Sequence, residues 1–406
     1  MPTWSYEALK RVISLITVAS THMINHAYLQ IHLALLPVFM IEFNLELSTI
    51  GMIVSIATLC QVLATIPGGI IADKLGSVKV ILLSFLLTLI GALMMSQTFN
   101  LYMLIFGISI ITLSTAIYHP PAYSLVSRLV APNSRGKALG IHGGAGDIGL
   151  ALGPITAGIL LSSYGWRFVY LVWLIPMLLS TLILLRVKPS TYSVEKEFTV
   201  INKKSTFITI TSDFLTLALI TYLLIIALRA VGMQTVSTIL SAFLVFGRKI
   251  PKDTASILFG LMPLMGGITA PIGGYFTDKI GAKRLFAFSL FITPLTLLGL
   301  IYSNSIILII TFILLYGASN YTAMAATASL LAQLTPIRRR GIGYALFFLP
   351  SYVANTIAPA IAGYVGQNYG LENTFFIAIS SYLIGLILLL TIMPKGYYKT
   401  RRETSD

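Results

Sequence analysis

Long apolar segments dominate the hydrophobic pattern of this chain, and alternating segments are rare. Residues 80–95 and 171–185 carry almost no polar side chain, and about 20 such residues cross the hydrocarbon core of a bilayer as an α-helix. The pattern predicts twelve such helices, at residues 12–40, 48–72, 78–97, 101–127, 137–162, 166–186, 212–246, 255–277, 283–303, 305–332, 341–366 and 373–393. We therefore predict an all-α integral membrane protein.

Composition and charge agree with a membrane protein and exclude a soluble one. Of 406 residues, 56% are hydrophobic and 10% are charged, whereas a soluble domain carries roughly 25% charged residues. If the N-terminus is cytoplasmic, 22 of the 27 Lys and Arg residues fall on the cytoplasmic side and four on the other. This asymmetry is typical of membrane topology and explains the net charge of +14 without nucleic acid. We expect a multi-pass plasma-membrane protein with both termini in the cytoplasm.

A repeated segment indicates that the chain is duplicated. The sequence G-I-I-A-D-K-L-G at Gly69–Gly76 recurs as G-Y-F-T-D-K-I-G at Gly274–Gly281, which is 274 − 69 = 205 residues later. The same offset aligns Arg135 with Arg340. The predicted twelve transmembrane helices therefore form two pseudo-symmetric six-helix halves. The predicted units are an N-terminal bundle (residues 1–187), a charged cytoplasmic linker (188–211) and a C-terminal bundle with a short tail (212–406).

The repeated loop resembles the G-x-x-x-D-x-x-G-x-x-[KR] signature of the major facilitator superfamily. Three further segments resemble the fosmidomycin-resistance branch of that family: T-H-M-I-N-H from Thr21, H-P at His119 and G-L-A-L-G-P from Gly149. The chain departs from the branch at His26, where the branch has an acid, and at Asp147, where it has Asn. The resemblance implies a secondary transporter that exposes one site alternately to the two sides of the membrane.

The two repeated loops supply candidate gating residues. Asp73 and Asp278 lie at the C-terminal ends of the second and eighth spans, where the negative end of the helix dipole disfavours a carboxylate. The free N–H groups at the start of the eleventh span, near Gly341, and of the fifth, near Gly136, would compensate. We interpret these as contacts that close the cytoplasmic side; the alternative is that both acids only fix tight turns. The predicted gating set is Gly69, Asp73, Gly76, Arg135, Gly274, Asp278, Gly281 and Arg340.

Polar residues at membrane depth are the candidate site. Asp147 is the one acid well inside a span, and Arg229 is the one basic residue so placed. The repeat puts Arg229 opposite Ile24, between His22 and His26. A charge at the bilayer centre costs from ~3 to more than 10 kcal/mol, so these groups must face the protein interior or water. Two alternatives remain for Arg229: a permanent ion pair with Asp147, or recognition of an anionic substrate.

Imidazole titrates near pH ~6.5, so histidines beside Asp147 can take part in proton coupling, although each alone is as readily an interior hydrogen-bonding residue. Small residues four apart in the fifth span let helices approach closely. The predicted substrate-binding residues are His22, Asn25, His26, Gln30, Arg229 and Gln234, the proton-coupling residues are His22, His26, His119 and Asp147, and the helix-packing residues are Gly149, Gly153 and Pro154.

No G-x-x-x-x-G-K-[ST] segment is present, so an ion or solute gradient must supply the energy. We expect proton-coupled antiport that exports a small organic anion or drug, as the resemblance implies. The alternative is a proton-coupled importer or exchanger of a carboxylate or phosphorylated metabolite. A membrane enzyme or sensor is disfavoured because H-E-x-x-H, G-x-S-x-G and a cysteine–histidine metal set are absent. We expect a monomer without metal or cofactor.

Overall fold

The computed structural model describes residues 6–131, 134–187, 216–335 and 340–393, with side chains from residue 9 onwards except at 340–348. The predicted linker over 188–211 lies outside these ranges. The helices are α1 (Tyr6–Ala34), α2 (Leu36–Glu42), α3 (Leu47–Leu75), α4 (Ser77–Ser96), α5 (Leu101–Leu129), α6 (Arg135–Val172), α7 (Leu174–Leu184), α8 (Leu217–Ala242, continued by a π-helical turn over Phe243–Gly247), α9 (Lys252–Ile280), α10 (Ala282–Tyr302), α11 (Ile306–Leu334), α12 (Arg340–Tyr369) and α13 (Leu371–Thr391).

The described helices account for twelve membrane spans. Nine segments are long and apolar enough to cross a bilayer, and the bent pair α1–α2 is a tenth. One of the nine, the 50-residue segment Arg135–Leu184, is two spans because its backbone breaks at Gly165, where φ is 75°. Helix α12 completes the set. The predicted twelve-helix, all-α membrane fold is confirmed.

The duplication is visible in the backbone itself. Four glycines have positive φ, in two pairs at the offset seen in the sequence: Gly76 (86°) with Gly281 (92°), and Gly165 (75°) with Gly370 (101°). Only glycine adopts this left-handed region without strain. Each pair reverses the chain at equivalent positions of the two halves. The conserved offset of 281 − 76 = 370 − 165 = 205 residues supports two halves built on one plan.

The two halves contact each other mainly at one end of the molecule. The charge asymmetry predicts which end of the molecule is extracellular and which is cytoplasmic. We call these the outer end and the inner end. At the outer end, Gly51 of α3 lies against Pro359 and Gly363 of α12, and Gly158 of α6 lies against Asp253 of α9. These glycines let backbones of opposite halves approach to contact distance.

One face of α6 shows where the two halves separate. Gly140, Gly144, Ala151 and Gly158 share this face because their spacing follows the helical repeat. Ala151 and Gly158 contact α9, whereas a Cβ atom added at Gly140 or Gly144 would meet no atom within 4 Å. The same helix face is therefore closed at the outer end and open at the inner end.

A bend in the first span contributes to the outer closure. Helices α1 and α2 meet at 49°, and Pro37 lacks the N–H that would otherwise bond to the Leu33 carbonyl. The hydroxyl of Ser241 in α8 donates to that carbonyl at 2.8 Å, and Ser256 in α9 donates to the Ala34 carbonyl at 3.3 Å. Carbonyl groups freed in one half are thus bonded by hydroxyls of the other.

An arginine also joins three spans at the outer end of each half. In the N-terminal half Arg167 pairs with Glu42 at 2.5 Å and its Nε donates to the Thr98 carbonyl at 2.9 Å. In the C-terminal half Arg248 pairs with Glu372 at 3.1 Å, and its Nε donates to the Ser303 carbonyl at 2.9 Å. Adding 205 to Thr98 gives Ser303, but adding it to Arg167 gives Glu372, so the arginine and the acid have exchanged spans.

Among the described side chains, no hydrogen bond or ion pair joins predicted gating residues of opposite halves. Asp73 and Asp278 are exposed, and neither forms an ion pair with a residue whose side chain the structure describes. Arg135 donates from Nε to the Ser127 carbonyl at 3.1 Å. The side chain of Arg340 is outside the described set. Gly76 and Gly281 form the turns described above. The other two motif glycines lie within their own halves, Gly69 beside α5 and Gly274 beside α11. Their gating role stays a prediction.

Replacing Arg248 with Leu is expected to lower the free energy of unfolding by about 2–3 kcal/mol, because hydrogen bonds to a charged group contribute ~1.5–3 kcal/mol. Glu372→Gln should cost no more than ~1 kcal/mol, since its side chain is 44% exposed and surface ion pairs are weak. Thermal unfolding of the purified protein measures both. Equal losses in the two variants would contradict a dominant role for the carbonyl bonds.

Asp73→Asn is expected to favour the inward-open state, because the outward-open state loses the charge that interacts with the facing helix terminus. Such helix-end interactions reach ~2 kcal/mol, which is roughly a thirtyfold change in equilibrium. A cysteine at Gly144, in a Cys60→Ser background, should react faster with a maleimide applied from the inner side. Glu46→Gln, an exposed outer carboxylate, is the matched control. Unchanged reactivity in Asp73→Asn would argue against the gate.

Candidate functional site

Four histidines meet inside the N-terminal half. Helix α1 contributes His22 and His26, α5 contributes His119 and α6 contributes His142; we call these residues the histidine cluster. The Nε2 atoms of His22 and His26 are 3.1 Å apart, and those of His26 and His119 are 3.3 Å apart. His22 Nδ1 lies 2.8 Å from the His142 carbonyl oxygen, and the two rings stack with centroids 4.2 Å apart.

A row of small residues on α6 makes room for this cluster. A Cβ atom added at Gly149 or Gly153 would collide with the backbone of Met23 or Ala27 in α1. One turn earlier, a Cβ at Gly146 would lie 2.5 Å from Cε1 of His22. The predicted packing segment therefore sets the α1–α6 distance within one half, and Pro154, buried in α6, directly follows it.

Two tyrosines surround the histidine cluster. The hydroxyl of Tyr118 is 2.8 Å from that of Thr21 and donates to the Val18 carbonyl at 3.1 Å. The ring of Tyr123 is centred 5.5 Å from that of His142 and 6.1 Å from that of His119. Tyr118 thereby fixes α5 against α1, while Tyr123, 45% exposed, lies on the open side of the cluster.

The C-terminal half presents an arginine among tyrosines. Nη2 of Arg229 donates to the Asn320 carbonyl at 2.9 Å, and its buried Nε has no partner among the described residues. The hydroxyl of Tyr382 donates to Asn320 Oδ1 at 3.2 Å and lies 3.1 Å from that of Tyr316. Tyr321 is the third ring close enough to interact electrostatically with the guanidinium. Most of the hydrogen-bonding capacity of Arg229 is therefore unused.

Arg229 of the C-terminal half and Asp147 of the N-terminal half lie near the same tyrosine. Tyr321 is within electrostatic range of both side chains, and Tyr123 is within range of Asp147. Within the described part of the chain no ion pair joins Arg229 to Asp147. A guanidinium on one half and a carboxylate on the other are thus both available to a solute in this arrangement.

The other predicted binding residues lie on the expected helices. Asn25 is buried on α1, and neither its amide nitrogen nor its amide oxygen has a described partner. Gln30 is buried further along α1, and Gln234 is half-buried on α8. Their part in binding stays a prediction, as does the proton-coupling role of His22, His26 and His119.

Sequence reasoning missed His142 and the tyrosines of the C-terminal half. His142 was recognisable in principle, because it lies four residues before Gly146 and seven before Gly149, on the face that packs against α1. The tyrosines Tyr316, Tyr321 and Tyr382 gave no such signal. Their rings fit the apolar pattern of a span, while their hydroxyls carry the polar function.

The fold defines a polytopic membrane protein of twelve spans. A family model described as "Major Facilitator Superfamily" matches residues 18–248 and 222–405. The chain belongs to this superfamily and is therefore a membrane transporter for a small molecule rather than an enzyme.

Two curated relatives match nearly end to end. The chain is 24% identical to the "Fosmidomycin resistance protein" of Escherichia coli (strain K12), covering 94% of this chain and 93% of that protein. It is 23% identical to the "Riboflavin transporter RibZ" of Clostridioides difficile (strain 630), covering 88% of this chain and 92% of that protein. Among solved structures, the fold matches that of a bacterial homologue of the human lysosomal transporter Spinster, in an inward-facing, unoccupied conformation. The TM-score is 0.73 at 16% identity, and the match covers 94% of this chain and 95% of that chain. This last likeness concerns the fold alone.

Arg229→Lys is expected to weaken binding of an anionic solute by about 1–3 kcal/mol, the range for hydrogen bonds to charged groups, because the charge stays and the planar fork is lost. That is roughly 5- to 150-fold in the dissociation constant. Equilibrium binding of a labelled organic anion that the wild type accumulates provides the measurement. Arg128→Lys, at the inner end of α5, is the matched control.

The competing interpretation, a fixed Arg229–Asp147 pair in another state, gives the opposite pattern. Arg229→Ala would then lower thermal stability, and adding Asp147→Ala would restore it. Rescue in the double variant, with unchanged anion affinity in Arg229→Lys, would contradict the anion site.

Proposed function

We propose that this protein exports a small organic anion or drug across the plasma membrane by proton-coupled antiport. Both termini lie in the cytoplasm and the protein acts as a monomer. The observation that carries the proposal is a pair of oppositely charged groups, Arg229 and Asp147, which belong to different halves, lie near the same tyrosine and form no ion pair with any described side chain. The name of the E. coli relative, a resistance protein, supports export.

Arg229 recognises the negative end of the solute. Its Nε and part of its Nη surface are free of described partners, and a carboxylate or phosphonate can accept two parallel hydrogen bonds from a guanidinium. The rings of Tyr316, Tyr321 and Tyr382 are buried. Tyr382 supports Arg229 through Asn320, whose carbonyl accepts from Nη2 of Arg229 and whose Oδ1 accepts from the Tyr382 hydroxyl. Because a guanidinium at membrane depth without an anion is costly, Arg229 favours binding of an anionic ligand.

Asp147 is the coupling group. Antiport requires that proton and solute exclude each other, and a carboxylate achieves this when a hydrogen-bond donor or cationic group of the solute occupies it. Among the described side chains, Tyr123 and Tyr321 are within electrostatic range of Asp147, and Tyr321 is also within range of Arg229. We therefore expect a solute with an anionic group for Arg229 and a donor group for ionised Asp147.

Symport is the second candidate, and the same electrostatics define it. An anionic solute that contacts Arg229 but not Asp147 is repelled when Asp147 is ionised. Its binding is stronger when Asp147 is protonated, so proton and anion bind together. The name of the C. difficile relative, a riboflavin transporter, supports a metabolite as cargo. If transport is symport, the protein is an importer or exchanger of a carboxylate or phosphorylated metabolite.

Asp147→Asn is expected to abolish accumulation driven by a pH gradient, while exchange of labelled for unlabelled solute continues, because exchange need not move protons. Proteoliposomes with an acidic lumen should concentrate the solute if transport is antiport, and those with an alkaline lumen if it is symport. The probes are labelled organic anions, beginning with fosmidomycin.

Glu46→Gln, an exposed carboxylate outside the site, is the control for Asp147→Asn and should behave as wild type. Accumulation against a gradient by Asp147→Asn would show that another group couples transport. Uptake that does not depend on the direction of the pH gradient would contradict proton coupling altogether.

A further inference from the structure

Three histidines of the cluster meet at one point, where a hydrogen bond would bring together only two. His22, His26 and His119 each direct one nitrogen to a common point, and the three nitrogens lie within 4.8 Å of one another. Two of the separations, 3.1 and 3.3 Å, are between Nε2 atoms. The rings come from two helices, α1 and α5, so the convergence is a tertiary feature rather than a property of one helix.

Hydrogen bonding alone does not satisfy this arrangement. A ring nitrogen holds either a proton or one in-plane lone pair. Nε2 of His26 lies between two other ring nitrogens and can form one good hydrogen bond with them, not two. A cation that accepts all three lone pairs satisfies the nitrogens together.

The separations match a tetrahedral metal site. Zinc binds imidazole nitrogen at roughly 2.0–2.1 Å, so two ligands at a tetrahedral angle lie roughly 3.3–3.4 Å apart. The observed distances of 3.1 and 3.3 Å are close to that edge length. The third edge is at most 4.8 Å long.

The surroundings of His22 resemble the outer shell of a metal ligand. Its Nδ1 lies 2.8 Å from the His142 carbonyl oxygen, to which an N–H at this position donates. That bond leaves the lone pair on Nε2, which points into the convergence, and a metal-ligating histidine commonly has such a carbonyl partner. Gly146 and the stacked ring of His142 hold the imidazole in this orientation.

We propose that His22, His26 and His119 bind a divalent transition-metal ion such as Zn²⁺ in the N-terminal half. Imidazole is a favourable ligand for zinc, copper and nickel, and three protein ligands leave a fourth position for water or an anionic group. An anion there offsets the cost of a divalent charge at membrane depth. The sequence predicted no metal because it contains no cysteine–histidine metal set, and His119 is 93 residues beyond His26. Metal bound to these nitrogens would take up the lone pairs that the predicted proton-coupling role of His22, His26 and His119 requires, and the coupling proposed above rests on Asp147.

The test is metal binding by the intact, purified protein with an affinity tag that contains no histidine. After removal of bound metal with a chelator, calorimetric titration with ZnCl₂ should give one site per chain. Titration with Co²⁺ should give the strong visible absorption of a tetrahedral complex. His26→Asn and His119→Asn should each weaken zinc binding at least ~100-fold, since even loss of an orienting partner costs 10- to 100-fold, and should abolish that absorption.

His32→Asn is the matched control. His32 is also a buried histidine of α1, outside the cluster, and its replacement should leave zinc affinity and the cobalt spectrum unchanged. The chain has five histidines and one cysteine, so few other strong sites compete. Absence of the tetrahedral spectrum in the wild type, or equal zinc affinity in wild type and His119→Asn, would overturn the proposal. The wild-type spectrum decides the question even if a variant fails to fold.

Discussion

In lipid, every backbone N–H and C=O must find a partner within the protein, and this constraint organises the structure. It accounts for the all-helical fold, and it also accounts for the places where helices stop being regular. The carbonyls of Leu33 and Ala34, freed where the first span bends, accept hydroxyls from the opposite half. The carbonyls of Thr98 and Ser303, at helix ends, accept arginine side chains. Irregular backbone therefore supplies the specific contacts of the outer end.

The duplication preserved the backbone more strictly than the chemistry. The four left-handed glycines keep one offset, because no other residue adopts that conformation without strain. Side chains at membrane depth diverged: position 22 is His and its equivalent is Ala227, whereas Arg229 is equivalent to Ile24. The exchanged arginine and acid of the two outer ion pairs are an intermediate case, in which the interaction is kept and its direction reversed. Symmetry thus fixed the scaffold and left each half free to acquire its own polar groups.

The sequence was sufficient to predict what depends on local pattern. The spans follow from apolar runs and the two halves from the repeated Asp73 and Asp278 loops. The cost of burying charge singles out Arg229 and Asp147 as candidates, and their roles stay predictions. The arrangement around them was not predictable, because it depends on how helices pack. Nothing in the spacing of His22 and His119 indicates that their rings meet, and Gly146 acquires meaning only when the His22 ring is seen against it. Tyr321 was hidden for the same reason.

The positions of the two polar sites separate their roles in alternating access. In this mechanism the halves move as nearly rigid bodies about a central site. The histidine cluster lies wholly within the N-terminal half, on α1, α5 and α6, so its internal distances stay nearly constant as the halves move. Arg229 and Asp147 belong to different halves, so their separation changes with each transition. A group that couples proton binding to movement must experience a different environment in the two states. For the function proposed above, Arg229 and Asp147 are therefore the groups placed to couple proton binding to movement, whereas the histidine cluster is placed to hold its half together.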